Sequence, residues 1–182
     1  MRIFALVVIA LFTAGMVKGR AQTTAAIRRS TDVLCLVPNA VGVAKAWADH
    51  DPKGLAQWGL STLTTLTANY ILEAAITKNR PDGTGHHAFP STHSAIAANG
   101  ATFLMRRYGW KWGVPAYAVT AYVAWGRVRC HRHDWADVLA GTALGVGSAW
   151  VFTRPLSRRT NISLLPATFG DDSRGLTAII RF

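Results

Sequence analysis

Arg127, His133 and Asp137 lie in one short run, Gly126-Arg127-Val128-Arg129-Cys130-His131-Arg132-His133-Asp134-Trp135-Ala136-Asp137. Upstream, His93 follows Phe89-Pro90-Ser91-Thr92, and Lys78-Asn79-Arg80-Pro81 precedes that. Two histidines, a carboxylate and several fixed cations are the parts needed to attack a phosphate ester without a metal. Asp137 falls four residues after His133, at the start of a predicted helix, so the two share a face. A carboxylate there can hold one imidazole nitrogen, fix the tautomer and leave the other nitrogen as a nucleophile. On its own, a histidine four residues before an aspartate is most often a helix start with an incidental histidine. Arg127 in the same run argues against coincidence.

Ser91 is a good N-cap, and Thr92 and His93 fall in the first turn of the helix it would start. Amides at a helix N-terminus bind phosphate oxygens, and His93 is placed to protonate a leaving group. Arg80 and Arg127 suit phosphate because the planar guanidinium makes two hydrogen bonds at once. Lys78 adds a further charge near Arg80. A phosphoryl group in transfer spreads its charge over the equatorial oxygens, so a ring of cations and amides supplies most of the catalysis. Arg80, Arg127, Ser91, Thr92 and Lys78 are the candidates for that ring. Taken singly, each arginine reads as a solvated charge and the histidine as part of a capped helix. His86 and His87 sit in a Gly-rich loop and read as solvent-facing. A zinc site from His131, His133 and Asp134 would need residues one or two apart to converge, so neither a metal nor a cofactor is expected.

These residues must be positioned by a single domain, because the chain has 182 residues. Half of them are hydrophobic and 16% are charged, which excludes a disordered chain. The net charge of +11 fits basic loops beside membrane helices or an anionic partner. The basic residues are scattered and carry no nucleic-acid motif, so nucleic acid is not expected as a partner. Residues 1–21 read as a signal peptide: Arg2 is the basic start, 3–17 an apolar run, and cleavage falls near Ala21. Residues 22–158 form the main domain and 159–182 a C-terminal appendage.

Five apolar stretches, at 31–48, 55–78, 91–107, 112–127 and 134–152, read as helices. The expected fold is therefore all-α, a membrane-embedded bundle of about five core helices with a short C-terminal β-hairpin. Mean hydropathy is only +0.18, which keeps a soluble bundle open. Loop charge favours the membrane: Lys53, then Arg106, Arg107 and Lys111, then Arg154, Arg158 and Arg159 fall on one face if the helices alternate. His93 and His133 then share the opposite, periplasmic face. Cys35 and Cys130 fall near that face too. A disulfide between them is permitted in an oxidising compartment, with two buried thiols as the alternative.

The three motifs resemble those of the type 2 phosphatidic acid phosphatases, the PAP2 superfamily, and its bacterial envelope lipid phosphatases. The family pattern is a lysine separated by six residues from Arg-Pro, then Pro-Ser-Gly-His, then Ser-Arg, five residues, His, three residues, Asp. Here Arg80-Pro81 match the first part. Pro90-Ser91-Thr92-His93 match the second, with Thr92 for glycine, and Arg127, His133 and Asp137 match the third, with Gly126 for serine. The family lysine falls at Glu73, a carboxylate that would repel phosphate; Lys78 is a substitute two residues before Arg80.

The resemblance implies a metal-independent phosphatase acting through a phosphohistidine. His133 would attack phosphorus, Asp137 would orient it and His93 would protonate the leaving oxygen. Arg80, Arg127 and Ser91 would hold the phosphate. The implied partners are a membrane and a lipid phosphate or diphosphate, such as undecaprenyl diphosphate, phosphatidic acid, phosphatidylglycerol phosphate or lipid A. The implied location is the inner membrane of a bacterial envelope, with the site facing the periplasm. The alternatives are a soluble periplasmic acid phosphatase and a non-catalytic envelope protein that keeps the pocket. Haloperoxidase chemistry is disfavoured by the short chain.

Overall fold

The computed structural model describes residues 20–156, 161–169 and 173–181. Most of the expected signal peptide lies outside the described residues. Six helices follow in order: α1 (Arg20–Leu34), α2 (Val37–Ala48), α3 (Pro52–Ala75), α4 (Thr92–Tyr108), α5 (Trp110–Arg129) and α6 (Trp135–Phe152). An antiparallel hairpin of β1 (Asn161–Phe169) and β2 (Ser173–Arg181) completes the chain, in a register from Asn161 opposite Arg181 to Phe169 opposite Ser173. The helical bundle and the hairpin agree with the sequence reading.

The predicted helix over 31–48 is the main departure. It is broken between α1 and α2, and α1 reaches back to Arg20. Pro38 in the first turn of α2 is the cause. Proline has no N–H to donate to the Leu34 carbonyl, and its ring crowds that carbonyl, so the helical ladder is interrupted there. The two helices still follow one kinked path. Thr24 lies beside Cys130 and Ser30 beside Tyr122, while Asn39 reaches Ile96 and Gly42 meets Phe103 further along. The helix predicted to 78 instead ends at Ala75, and Lys78 pairs with His87 in a short parallel bridge.

The bundle is organised on α4, which packs against α6, α5, α2 and α3. Its buried face is built from small residues, among them Ser94, Ala95, Ala97, Ala98, Gly100 and Ala101. Opposite it, α6 carries Gly141 and Gly145 one turn apart. A Cβ on Gly145 would lie 2.1 Å from the Ala95 carbonyl oxygen, and one on Gly141 would lie 2.3 Å from that of Ser91. The two backbones therefore touch, as small residues spaced by four permit. Polar side chains tie α3 to the same helix. Thr62 donates to Asn99, Asn99 to Thr65, and Asn69 to Thr92. At the far end Arg107 forks onto buried Asp51, which also accepts from Tyr108 and caps α3 through Gly54.

The α4–α6 contact is testable. Gly145→Val is expected to lower stability by at least about 1–3 kcal/mol, because the added carbons must displace backbone. Gly147 faces open space with nothing within 4 Å. Gly147→Val carries the same propensity cost without the clash, so thermal melts of the two variants in detergent should differ clearly.

Candidate active site

The loop between α5 and α6 delivers His133, and the first turn of α6 delivers Asp137. Asp134 caps that helix: its carboxylate accepts from the Asp137 amide at 3.0 Å, and Asp137 accepts in return from the Asp134 amide at 3.0 Å. Lys78 closes the arrangement, donating to Asp134 at 2.5 Å and to Asp137 at 2.6 Å. Burial opposes the lysine charge, but its hydrogen bonds to the two aspartates outweigh that and hold its pKa above the ordinary lysine value. The Lys78 bond in turn draws Asp134 below the usual carboxylate range.

His133 is buried, and its Nδ1 stands 2.8 Å from the Ala88 carbonyl oxygen. A carbonyl only accepts, so Nδ1 carries the proton and Nε2 is left with its lone pair. The expected direct bond from His133 to Asp137 is not formed; the nearest approach is 3.7 Å. Asp137 is already engaged by Lys78 and by the cap, so the backbone of Ala88 fixes the tautomer instead. Burial, reinforced by Arg127 and Arg80 and opposed by the Ala88 bond and Asp137, lowers the His133 pKa from 6.5 to about 4.

His93, in the first turn of α4, faces the same space. A cavity of about 450 Å³ is lined by Arg28, Asp32, Tyr70, Glu73, Arg80 and His87 on one side. Pro90, Thr92, His93, Arg127, Arg132 and His133 complete it. The structure thus brings His93, His133, Arg80, Arg127 and Thr92 together. Arg80, Arg127 and Arg132 each keep a buried Nε with no hydrogen-bond acceptor among the described residues. Arg80, Arg127 and Arg132 all line the one cavity, and three guanidinium groups around it suit a group with several anionic oxygens.

Other expected residues fall elsewhere. Lys78 is turned away to the two aspartates and does not line the cavity. Ser91 occupies the N-cap position of α4, but its side chain makes no capping bond. It is fully buried, its hydroxyl accepts from Ser94, and its amide donates to the Asp137 carbonyl at 2.9 Å. The geometry makes it a strut between α4 and α6. Asp137 is fully buried behind His133 and does not line the cavity either. Cys35 and Cys130 are both free thiols, bonded to the carbonyls of Asp32 and Thr24.

The sequence reading missed Asp32, Arg28, Tyr70 and Arg132, and it placed His87 only in solvent. His87 is exposed, yet it also forms part of the cavity wall. Asp32 accepts from Arg127 at 2.6 Å and lies 3.1 Å from His93 Nε2. One signal could have found it: a lone carboxylate in an apolar helical stretch is a functional candidate by default.

Comparison with known proteins gives the family. Residues 46–161 match the PAP2 superfamily. A lipid A 4'-phosphatase of Helicobacter pylori strain J99 is 30% identical over 133 residues, which cover 67% of this chain and 67% of that protein. A lipid A 1-phosphatase of Helicobacter pylori strain 26695 is 28% identical over 131 residues, covering 65% of this chain and 67% of that protein. A lipid A 1-phosphatase of Porphyromonas gingivalis is 37% identical over 70 residues, but these are only 16% of its length. No solved structure matches the chain. With three motifs around one cavity and a match over most of the helical bundle, the chain belongs to the PAP2 superfamily and is a phosphatase.

Proposed function

We propose that the protein removes a phosphate from a membrane lipid, of the lipid A type, through a phosphohistidine on His133. The observation that carries this reading is the tautomer of His133. With Nδ1 tied to Ala88, Nε2 is the free nucleophile at a cavity lined by arginines. Arg80 and Arg127 hold the phosphoryl oxygens, joined by the first-turn backbone at Thr92. His133 Nε2 bonds to phosphorus as the bond to the leaving oxygen breaks, and that oxygen takes the proton from His93 Nε2. Water then attacks phosphorus, His93 accepts its proton, and the P–N bond breaks. Lys78 and Asp137 act through His133, and Ser91 through α4.

The surface supports a membrane setting. Trp47, Trp110 and Trp150 are exposed at the end of the bundle away from the cavity, and Tyr70, Trp125 and Trp135 at the cavity end. Along α5 and α6 these aromatic levels are about 22 Å apart at 1.5 Å per residue. Between them Leu60, Leu63, Val114 and Leu139 face outward. Two aromatic girdles around an apolar band suit a thin bilayer. Among the described residues only α6 is both long and apolar enough to cross a membrane by itself, so the other helices would cross as a packed group. The relatives' names favour a bacterial envelope, and the basic loops at Lys53, Arg106, Arg107 and Arg154 favour a cavity facing the periplasm.

Purified protein in detergent, given lipid A 1- and 4'-phosphates, phosphatidic acid and undecaprenyl diphosphate, is expected to release phosphate fastest from a lipid A substrate. His133→Ala should lower that rate by at least about a thousandfold. Equal rates in the two proteins contradict the reading.

The pH profile gives a second check. His133 must be neutral to attack, and the neutral fraction rises with pH through its pKa. Because that pKa is lowered to about 4, the acid limb of kcat/KM assigned to His133 should lie well below pH 6.5. Lys78→Met provides a third. It should lower kcat about tenfold with little change in KM, because Lys78 meets the aspartates rather than substrate. A rise in KM alone would return Lys78 to the phosphate site.

A further inference from the structure

Asp32 lies on α1, outside the stretch matched to the family, yet its carboxylate stands inside the cavity. One oxygen, Oδ1, meets both the Arg127 guanidinium at 2.6 Å and His93 Nε2 at 3.1 Å. Arg127 is buried and cannot turn elsewhere, whereas the Asp32 side chain is 45% exposed. The short contact is a charge-assisted bond of full strength; the longer one is loose enough to yield to another acceptor.

Burial of the His93 ring disfavours its charged form first of all, and the cations around it add to that, which makes the carboxylate necessary. Arg127 from α5, and Arg132 and His133 from the loop before α6, all face it. Arg80, Arg28 and His87 line the same cavity. Every one of these is cationic or can become so, and each disfavours a second proton on the His93 ring. Against them stand Asp32 and, on α3, Glu73. Among the described residues, Asp32 alone reaches Nε2 itself. A general acid that has already lost its proton cannot assist the leaving group.

We propose that Asp32 is a positioning residue of the phosphatase site: it aims Arg127 and keeps the leaving-group proton on His93 Nε2. In the reaction the proton passes from His93 to the departing oxygen as the phosphorus–oxygen bond breaks. Asp32 stays ionised, releasing Nε2–H to the leaving group while retaining Arg127. It then stabilises the proton that His93 regains from water in the second step. This rests on the phosphatase reading above and adds a residue to it.

The test compares two leaving groups. Asp32→Asn keeps an oxygen for Arg127 but removes the charge. On a short-chain phosphatidic acid, whose alkoxide needs a proton to leave, kcat/KM, which reports the steps through departure of the leaving group, is expected to fall about tenfold or more. On p-nitrophenyl phosphate, whose leaving group departs as the anion, the loss should stay within about threefold, because protonation matters little there. The alkaline limb of the profile on the lipid substrate should move to lower pH, since His93 loses its proton more readily. Asp32→Glu should restore the wild-type ratio between the two substrates. Asp32→Gln, which also keeps an amide oxygen for Arg127, carries the same comparison if the Asn variant fails to fold, as judged by circular dichroism.

Equal losses on both substrates with an unmoved alkaline limb overturn the proposal. So does a gain on both, which would make Asp32 a plug in the phosphate site. In either case activity in wild type and its absence in His133→Ala leave the phosphatase reading standing. If wild type cleaves neither substrate, that reading falls as well.

Discussion

The close approach of α4 and α6 is the constraint on which the site depends. Gly141 and Gly145 allow the α6 backbone to rest on the carbonyls of Ser91 and Ala95. Any side chain there would part the helices. The contact ends in a backbone hydrogen bond from Ser91 to Asp137. Through it, the residues around Pro90 and those around His133, far apart in sequence, are held in one register. His93 and His133 face a common cavity because the two helix starts cannot slide past each other. Nothing in the site itself could supply that rigidity, since its arginines are spread over a loop, a helix end and a turn.

Around this contact the charges are balanced unevenly. Behind His133, Lys78, Asp134 and Asp137 form a compact group in which one cation bridges two carboxylates. In front, the cavity holds four arginines against the carboxylates of Asp32 and Glu73. The first arrangement is structural and leaves the His133 ring to a backbone carbonyl. The second is open and suits a multiply charged anion. Glu73 is the unusual member, because family proteins place a lysine at that position. Here Arg132, lining the cavity, supplies a cation that the motif does not specify. The pocket remains strongly positive despite the lost lysine.

Much of this was legible in the sequence. The five apolar stretches marked the bundle, and the tail read correctly as a hairpin. The residue spacing in the three motifs named His93, His133, Arg80 and Arg127, all of which meet in the cavity. What the sequence hid were partner choices. Lys78 is near Arg80 in the chain, but the short bridge to His87 turns it toward the aspartates. Asp137 has the spacing to hold His133, yet its oxygens are taken by a cap and a lysine. Ser91 looked like a cap and phosphate ligand, but close packing buries it. Asp32 was invisible to motif reading because its partner, Arg127, lies 95 residues away. In each case several partners lay within reach, and only packing chose among them.

The central claim is that His133 carries the phosphoryl group. Rapid quench into alkaline detergent during turnover of a 32P-labelled lipid phosphate, followed by peptide mapping at alkaline pH, tests it most directly. The account expects transient label that is stable to alkali, labile to acid and located on the peptide holding His133, with none in His133→Ala. Label on another residue, or turnover without any labelled protein under conditions where hydrolysis of the intermediate is slowed, would contradict it.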